Sequence, residues 1–201
     1  MSIFRKAPLA VLASVAAMFV ALAPMPAAAE VSVGSKAPDF ALPDANGTTH
    51  TLSQYQGKIV VLEWTNHTCP FVKRHYQAGT MKKLAEKYAS QNVVWLAIDS
   101  SHFVEPTAIK KWIEEQKLPY PVLLDPTGEV GKAYGAKTTP HMFIVDQKGN
   151  LAYSGAIDDD PRGEKSQPIN YVDQALAKLT AGAQPEVTNT QSYGCSVKYK
   201  K

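Results

Sequence analysis

The sequence predicts an α/β domain with a mixed central β-sheet flanked by helices, and three observations carry that expectation. Two apolar, β-rich runs, Ile59–Trp64 and Val93–Ile98, are each followed by a segment of helical periodicity. Two later runs, Met142–Val145 and Leu151–Ser154, flank the turn residues Asp146-Gln147-Lys148-Gly149-Asn150 and read as a hairpin. Strand–helix–strand repetition argues for parallel neighbours and a hairpin for antiparallel ones, so the sheet is mixed.

In chain order, Val31 to Lys58 is turn-rich, and Asn46-Gly47 signals a short hairpin. After the Ile59–Trp64 strand, Pro70 opens a helix to about Ala89 with a kink expected at Gly79. Val93 to Ile98 is a second buried strand. Thr107 to Gln116 places Ile109, Trp112 and Ile113 on one helical face, and Pro121 to Leu124 forms a short strand. Gly128 to Tyr134 is a brief helix and Tyr171 to Leu179 a closing amphipathic one. From about residue 182 onward a tail carries Cys195, Val197 and Tyr199 in alternation with polar residues, which suits a short edge strand.

Residues 1–29 read as a secretory signal peptide: Arg5 and Lys6 precede the apolar run Leu9 to Ala23, which ends in Ala27-Ala28-Ala29. That run is shorter than the roughly 20 residues a membrane span needs. An uncleaved anchor is the alternative, and lipoprotein anchoring lacks its cysteine. Residues 30–201 are then a single domain, periplasmic or secreted, with no membrane contact after cleavage. Of 21 basic residues, Arg5 and Lys6 fall in the leader, and the remaining 19 against 18 acidic ones, with dispersed lysines, do not indicate a nucleic-acid partner. An oxidising compartment lets the two cysteines, Cys69 and Cys195, pair.

Cys69 is the chemical focus. It stands between a buried strand and Pro70, at the N-cap of a helix, where unpaired amides and the helix dipole favour a thiolate. Such placement lowers a cysteine pKa from about 8.5 toward 7 or below. The plain alternative is a small buried hydrophobe.

These residues carry a resemblance. A strand ending Trp64, then Cys69-Pro70 at a helix start, and a later Thr139-Pro140 before a hairpin look like the thioredoxin fold. Gly34, Ala37-Pro38-Asp39-Phe40, Leu42, Asp44, Gly47, Leu52 and Gly57-Lys58 resemble the redoxin branch, which holds peroxiredoxins, alkyl hydroperoxide reductase/thiol-specific antioxidant proteins and TlpA-like oxidoreductases. Cys69-Pro70-Phe71-Val72, Ile157-Asp158-Asp159 and Gly194-Cys195-Ser196-Val197-Lys198 look most like an exported peroxiredoxin-like subgroup. The resemblance implies a thioredoxin-like fold, a nucleophilic Cys69, and a cis bond at Thr139–Pro140 whose backbone binds an extended peptide or mixed disulfide. It also implies that Glu63 takes the place of the thioredoxin aspartate that handles protons. Burial would raise its pKa toward a useful range, unless it reaches solvent at a strand edge.

The departures matter as much. Val72 stands where thioredoxins have their second cysteine, so resolution within that helix turn is excluded. Leu62 and Asn66 stand where peroxiredoxins have a proline and a threonine, and Pro140 falls near their arginine, which argues against fast peroxide reduction. Asn66, His67 or Arg74 could substitute in part. Cys195 then has three roles open to it: resolving thiol, structural staple contributing roughly 4–5 kcal/mol, or intermolecular exchange.

The expected function is an exported thiol-dependent oxidoreductase: Cys69 attacks a protein or small-molecule disulfide or oxidised thiol, Cys195 resolves, and an external thiol reductant regenerates both. Trp64, Asn66, His67, Thr68, Pro70, Phe71, Thr139, Pro140 and His141 are the expected substrate-facing set. No cofactor and no metal is called for. A slow hydroperoxide reductase is the alternative within enzymes. Outside them, it is a client-binding or copper-binding module in which His67, Cys69, His75, His141 and Cys195 converge, while the Asp158-Asp159-Asp160 run reads as a solvated loop.

Overall fold

A computed structural model describes residues 30–200; the predicted leader lies outside the described residues. A five-stranded sheet runs in the order β5-β4-β3-β7-β8, with β3 at Ile59–Trp64, β4 at Val93–Asp99, β5 at Val122–Leu124, β7 at His141–Val145 and β8 at Leu151–Gly155. β3 pairs in parallel with β4 and antiparallel with β7, so the parallel and antiparallel halves meet at β3. All six residues of β3 are buried, as its run of apolar residues interrupted only by Glu63 implies. The expected hairpin at Asn46-Gly47 joins β1, Ala41–Pro43, to β2, Thr49–Thr51. The Asp44 carboxylate closes its turn by accepting from the Asn46 and Thr48 amides at 2.8 and 2.9 Å.

The helix expected from Pro70 to Ala89 is two helices, α1 at Pro70–Gln77 and α2 at Thr80–Tyr88. Gly79 between them has φ +70°, a left-handed value that stops α-helical propagation and that glycine adopts without strain. Helices α3, Pro106–Gln116, α4, Glu129–Tyr134, and α5, Tyr171–Thr180, fall where the periodicity puts them. Asn170 caps α5 by accepting from the Asp173 amide at 2.8 Å.

Alternation along the strands builds two cores. Ile59 and Val61 of β3, with Ala97 and Met142, face α1, α2, α3 and α5; Val60, Leu62 and Trp64, with Ile98 and Phe143, face the N-terminal segment and α4. The tail does not leave the body. Residues Cys195–Ser196 form a strand, β9, paired antiparallel with β6, Thr138–Thr139. This is shorter than the alternation to Tyr199 suggests, because Tyr199 instead turns back to donate from its hydroxyl to the Ala136 carbonyl at 2.7 Å.

Leu62 is fully buried at the centre of the sheet. Leu62→Ala should destabilise the domain by about 2–5 kcal/mol, read as a lower denaturant midpoint at unchanged slope.

Candidate active site

The strand–loop–helix passage at Cys69 forms for local reasons. The Asn66 side-chain oxygen accepts from the Thr68 amide at 2.8 Å and from its hydroxyl at 2.6 Å, and its amide nitrogen donates to Ser101 Oγ at 2.8 Å. That folds the loop after β3 so that Cys69 takes an extended N-cap conformation ahead of Pro70. Its carbonyl accepts the first helical bond, from the Lys73 amide at 2.9 Å. Cys69 is 3% exposed.

The two cysteines meet. In register, Thr139 stands opposite Cys195, and Cys69 Sγ lies 2.8 Å from Cys195 Sγ and 3.1 Å from the Thr139 carbonyl. The Thr139–Pro140 bond is cis. Burial works against a charge on Cys69, but contacts with the Cys195 thiol and Thr139 and the amides of Val72 and Cys195 outweigh it and hold the Cys69 thiol below its usual range. Cys195 moves the other way, up to about 11, through burial and its bond to Cys69. The pair is therefore polarised, with the more acidic thiol on the helix cap and the less acidic one on the tail.

Glu63 is fully buried in β3, on the sheet face that carries Val61 and looks toward α1, so the solvent-edge alternative is excluded. Trp95 Nε1 donates to one carboxylate oxygen and the Tyr76 hydroxyl to the other, both at 2.9 Å, and Tyr120 donates to Tyr76 at 3.2 Å. Burial pushes the Glu63 pKa up to about 7, and these donors limit the rise.

Around this centre the expected substrate-facing set divides. His67, Thr68, Pro70 and Phe71 stay at or near the surface beside Cys69. Asn66 is buried, its side chain spent on the loop. Thr139 contributes its carbonyl and Pro140 follows it. Trp64 is corrected: period-two alternation turns it to the sheet face opposite Glu63, where it is fully buried against Tyr134 and Phe143 and donates to Ser100 Oγ at 3.0 Å. His141 is corrected for the same reason. It stacks on Phe143 with ring centroids 4.3 Å apart, accepts from the Lys137 amide at 3.2 Å, and lines a different cleft, of about 450 Å³, with Asn189–Ser192. Burial and the Lys137 charge lower its pKa to about 4.

The converging metal set is not assembled either. His75 is held by Tyr193 and Arg74, His141 by Lys137, and among the described residues no three histidine, cysteine or carboxylate side chains gather to hold an ion. Nor is Arg74 free to orient a peroxide, since it donates to the Pro161 and Asp160 carbonyls, each at 2.8 Å.

A latch was missed by sequence reasoning. The Tyr193 hydroxyl, two residues before Cys195, donates to Asp158 Oδ1, lies 2.9 Å from His75 Nε2, and accepts from Arg74 at 3.4 Å. The Asp158-Asp159-Asp160 run is consequently no solvated loop. Asp158 and Asp160 are buried and accept from backbone amides, and only Asp159 pairs outward, with Lys165. The one sequence signal for the latch was an aromatic residue ahead of Gly194-Cys195.

The profile of the AhpC/TSA family matches residues 33–154. The chain belongs to that family. Its similarity to the thiol-disulfide oxidoreductase ResA of Geobacillus thermodenitrificans is 34% identity over 122 residues, 60% of this chain and 67% of that protein. An uncharacterized conserved protein of Geobacillus kaustophilus superposes with a TM-score of 0.77 at 32% identity, covering 84% of this chain and 93% of its own. A putative thiol:disulfide interchange protein DsbE of Chlorobium tepidum does so at 0.56 and 26%, covering 62% and 85%. The fold is thioredoxin-like, as the sequence implied. The family match ends at residue 154, so Cys195 and the latch residues Asp158 and Tyr193 lie beyond it.

Because Glu63 binds its proton more tightly folded than unfolded, its contribution to stability is full below about pH 4.5 and falls as pH rises toward 7. The unfolding free energy of the native protein relative to Glu63→Gln should drop by about 3 kcal/mol between pH 4 and pH 8. Parallel pH profiles of the two denaturation midpoints would refute the raised pKa.

Proposed function

We propose that the protein is a thiol–disulfide oxidoreductase in which Cys69 is the nucleophile and Cys195 the resolving thiol. The observation that carries this reading is the 2.8 Å approach of the two sulfurs across the β6–β9 pairing. A lowered Cys69 pKa beside a raised one on Cys195 gives the order of events. The Cys69 thiolate attacks a disulfide sulfur and expels one thiolate, leaving a mixed disulfide. Cys195 loses its proton, attacks the Cys69 sulfur and expels the second thiolate. An external thiol reductant returns the resulting disulfide to two thiols.

Glu63 is the proposed buried proton acceptor and donor. What supports it is a pKa of about 7 and a position on the Cys69 face of the sheet. The thiol-disulfide oxidoreductases among its relatives support the reaction class. Peroxide reduction is disfavoured, because Leu62 is core and the side chains of Asn66 and Arg74 are engaged elsewhere. The leader-like residues 1–29 and an exchangeable cysteine pair together suit a mature domain working in an oxidising, periplasmic or secreted setting.

Cys69→Ser should abolish reduction of a disulfide substrate, and Cys195→Ser should stall as a mixed disulfide on Cys69 visible by intact mass. Retained turnover in Cys69→Ser would sink the reading. In glutathione buffers the Cys69–Cys195 couple should titrate between about −120 and −270 mV, whereas persistence below about −300 mV would make the bond a staple. Cys195→Ala should move the alkylation pH profile of Cys69 upward, since the thiolate loses a donor; an unmoved profile would dismiss the polarised pair.

A further inference from the structure

The tail shows what this molecule accepts at the edge beside its nucleophile. An extended segment pairs antiparallel with Thr138–Thr139, and the cysteine opposite Thr139 brings its sulfur to Cys69. Any foreign peptide carrying a cysteine would need the same ladder to reach the same sulfur, because strand addition to an edge is set by backbone and not by sequence. That ladder is already filled from within the chain.

The filling segment is fastened on both sides of Cys195. Upstream, the Thr190 amide donates to the Ser154 carbonyl at 3.1 Å and the Ser154 amide to the Thr188 carbonyl at 3.0 Å, while Tyr193 is gripped by Asp158, His75 and Arg74. Downstream, the Val197 amide donates to the Lys137 carbonyl at 3.1 Å and the His102 amide to the Lys198 carbonyl at 2.9 Å. Gly194 makes the approach sterically feasible. Its φ is +136°, and a Cβ there would sit 2.1 Å from the Thr139 carbonyl oxygen, which is backbone and cannot turn aside.

We infer that the tail is a resident occupant of a cysteine-peptide edge, so that the docked protein exchanges with low-molecular-weight disulfides while protein disulfides must first displace the tail. This rests on Cys69 being the nucleophile. Cys69 is 3% exposed with its sulfur against that of Cys195, so a small disulfide needs only the Cys195 side chain to turn aside, with the backbone ladder left in place. A peptide has no such alternative, since its backbone needs the β6 edge. An edge that is open only part of the time weakens a competitor in proportion to the closed fraction: one open in a tenth of molecules costs about tenfold in apparent affinity.

The test compares the first exchange step, mixed-disulfide formation on Cys69, for oxidised glutathione and for insulin. It uses full-length mature protein in a Cys195→Ser background, where the product accumulates and is counted by intact mass. Adding Gly194→Val forces the tail off the Thr139 carbonyl, and Tyr193→Ala removes the latch without adding bulk; protease access to Lys198 reports release. The insulin-to-glutathione rate ratio should rise about tenfold or more in the released variants. An unchanged ratio in a released tail, or insulin already as fast as oxidised glutathione when the tail is docked, overturns the inference while leaving the nucleophile intact. Absence of a Cys69 adduct with oxidised glutathione in the docked protein alone overturns the inference, and its absence in the released variants as well overturns the proposed reaction itself.

Discussion

The antiparallel contact of Cys195–Ser196 with Thr138–Thr139 is the constraint on which the proposed chemistry of this domain depends. It is only two residues long, too short to persist alone. It holds because the chain is pinned before it by Tyr193 and after it by Tyr199. Two sulfurs 126 residues apart in sequence thereby share one environment, in which each sets the ionisation of the other.

Beneath this pair the sheet carries a charge-capable group where it is most costly. Glu63 occupies the middle layer of an apolar face, and the fold meets that cost with an indole and a phenol rather than with a cation. Neutral donors leave the carboxyl able to hold or release a proton near neutrality, whereas a paired lysine or arginine would fix it as an anion. A second phenol, Tyr120, extends the hydrogen-bonded line to a residue that is itself 7% exposed.

Much of the fold was legible because it is written locally. The apolar run of β3 around Glu63, the helical spacing of Ile109 and Trp112, and the turn chemistry of Asp44 and Asp146 each depend on neighbours a few residues away. The N-cap placement of Cys69 was legible for the same reason. Facing was lost at Trp64 and at its cross-strand partner His141, which lie on the sheet face opposite Glu63; applying the two-residue period through Glu63 would have set Trp64 apart. The latch was hidden because its parts are remote. Tyr193 meets Asp158 across 35 residues and His75 across 118, and a lone tyrosine or an acidic run bears no mark of its partner.

A tail fastened on both sides of its cysteine also bears on the fate of Cys69 once oxidised. A sulfenic acid on Cys69 partitions between condensation with a thiol and further oxidation to the irreversible sulfinic acid. With the second sulfur already in contact, condensation is a first-order event needing no unfolding of the helix and no diffusion of the tail. Under the proposed chemistry the arrangement that narrows access to Cys69 would also shorten the lifetime of its vulnerable state, so that the C-terminal strap would serve as a safeguard against inactivation.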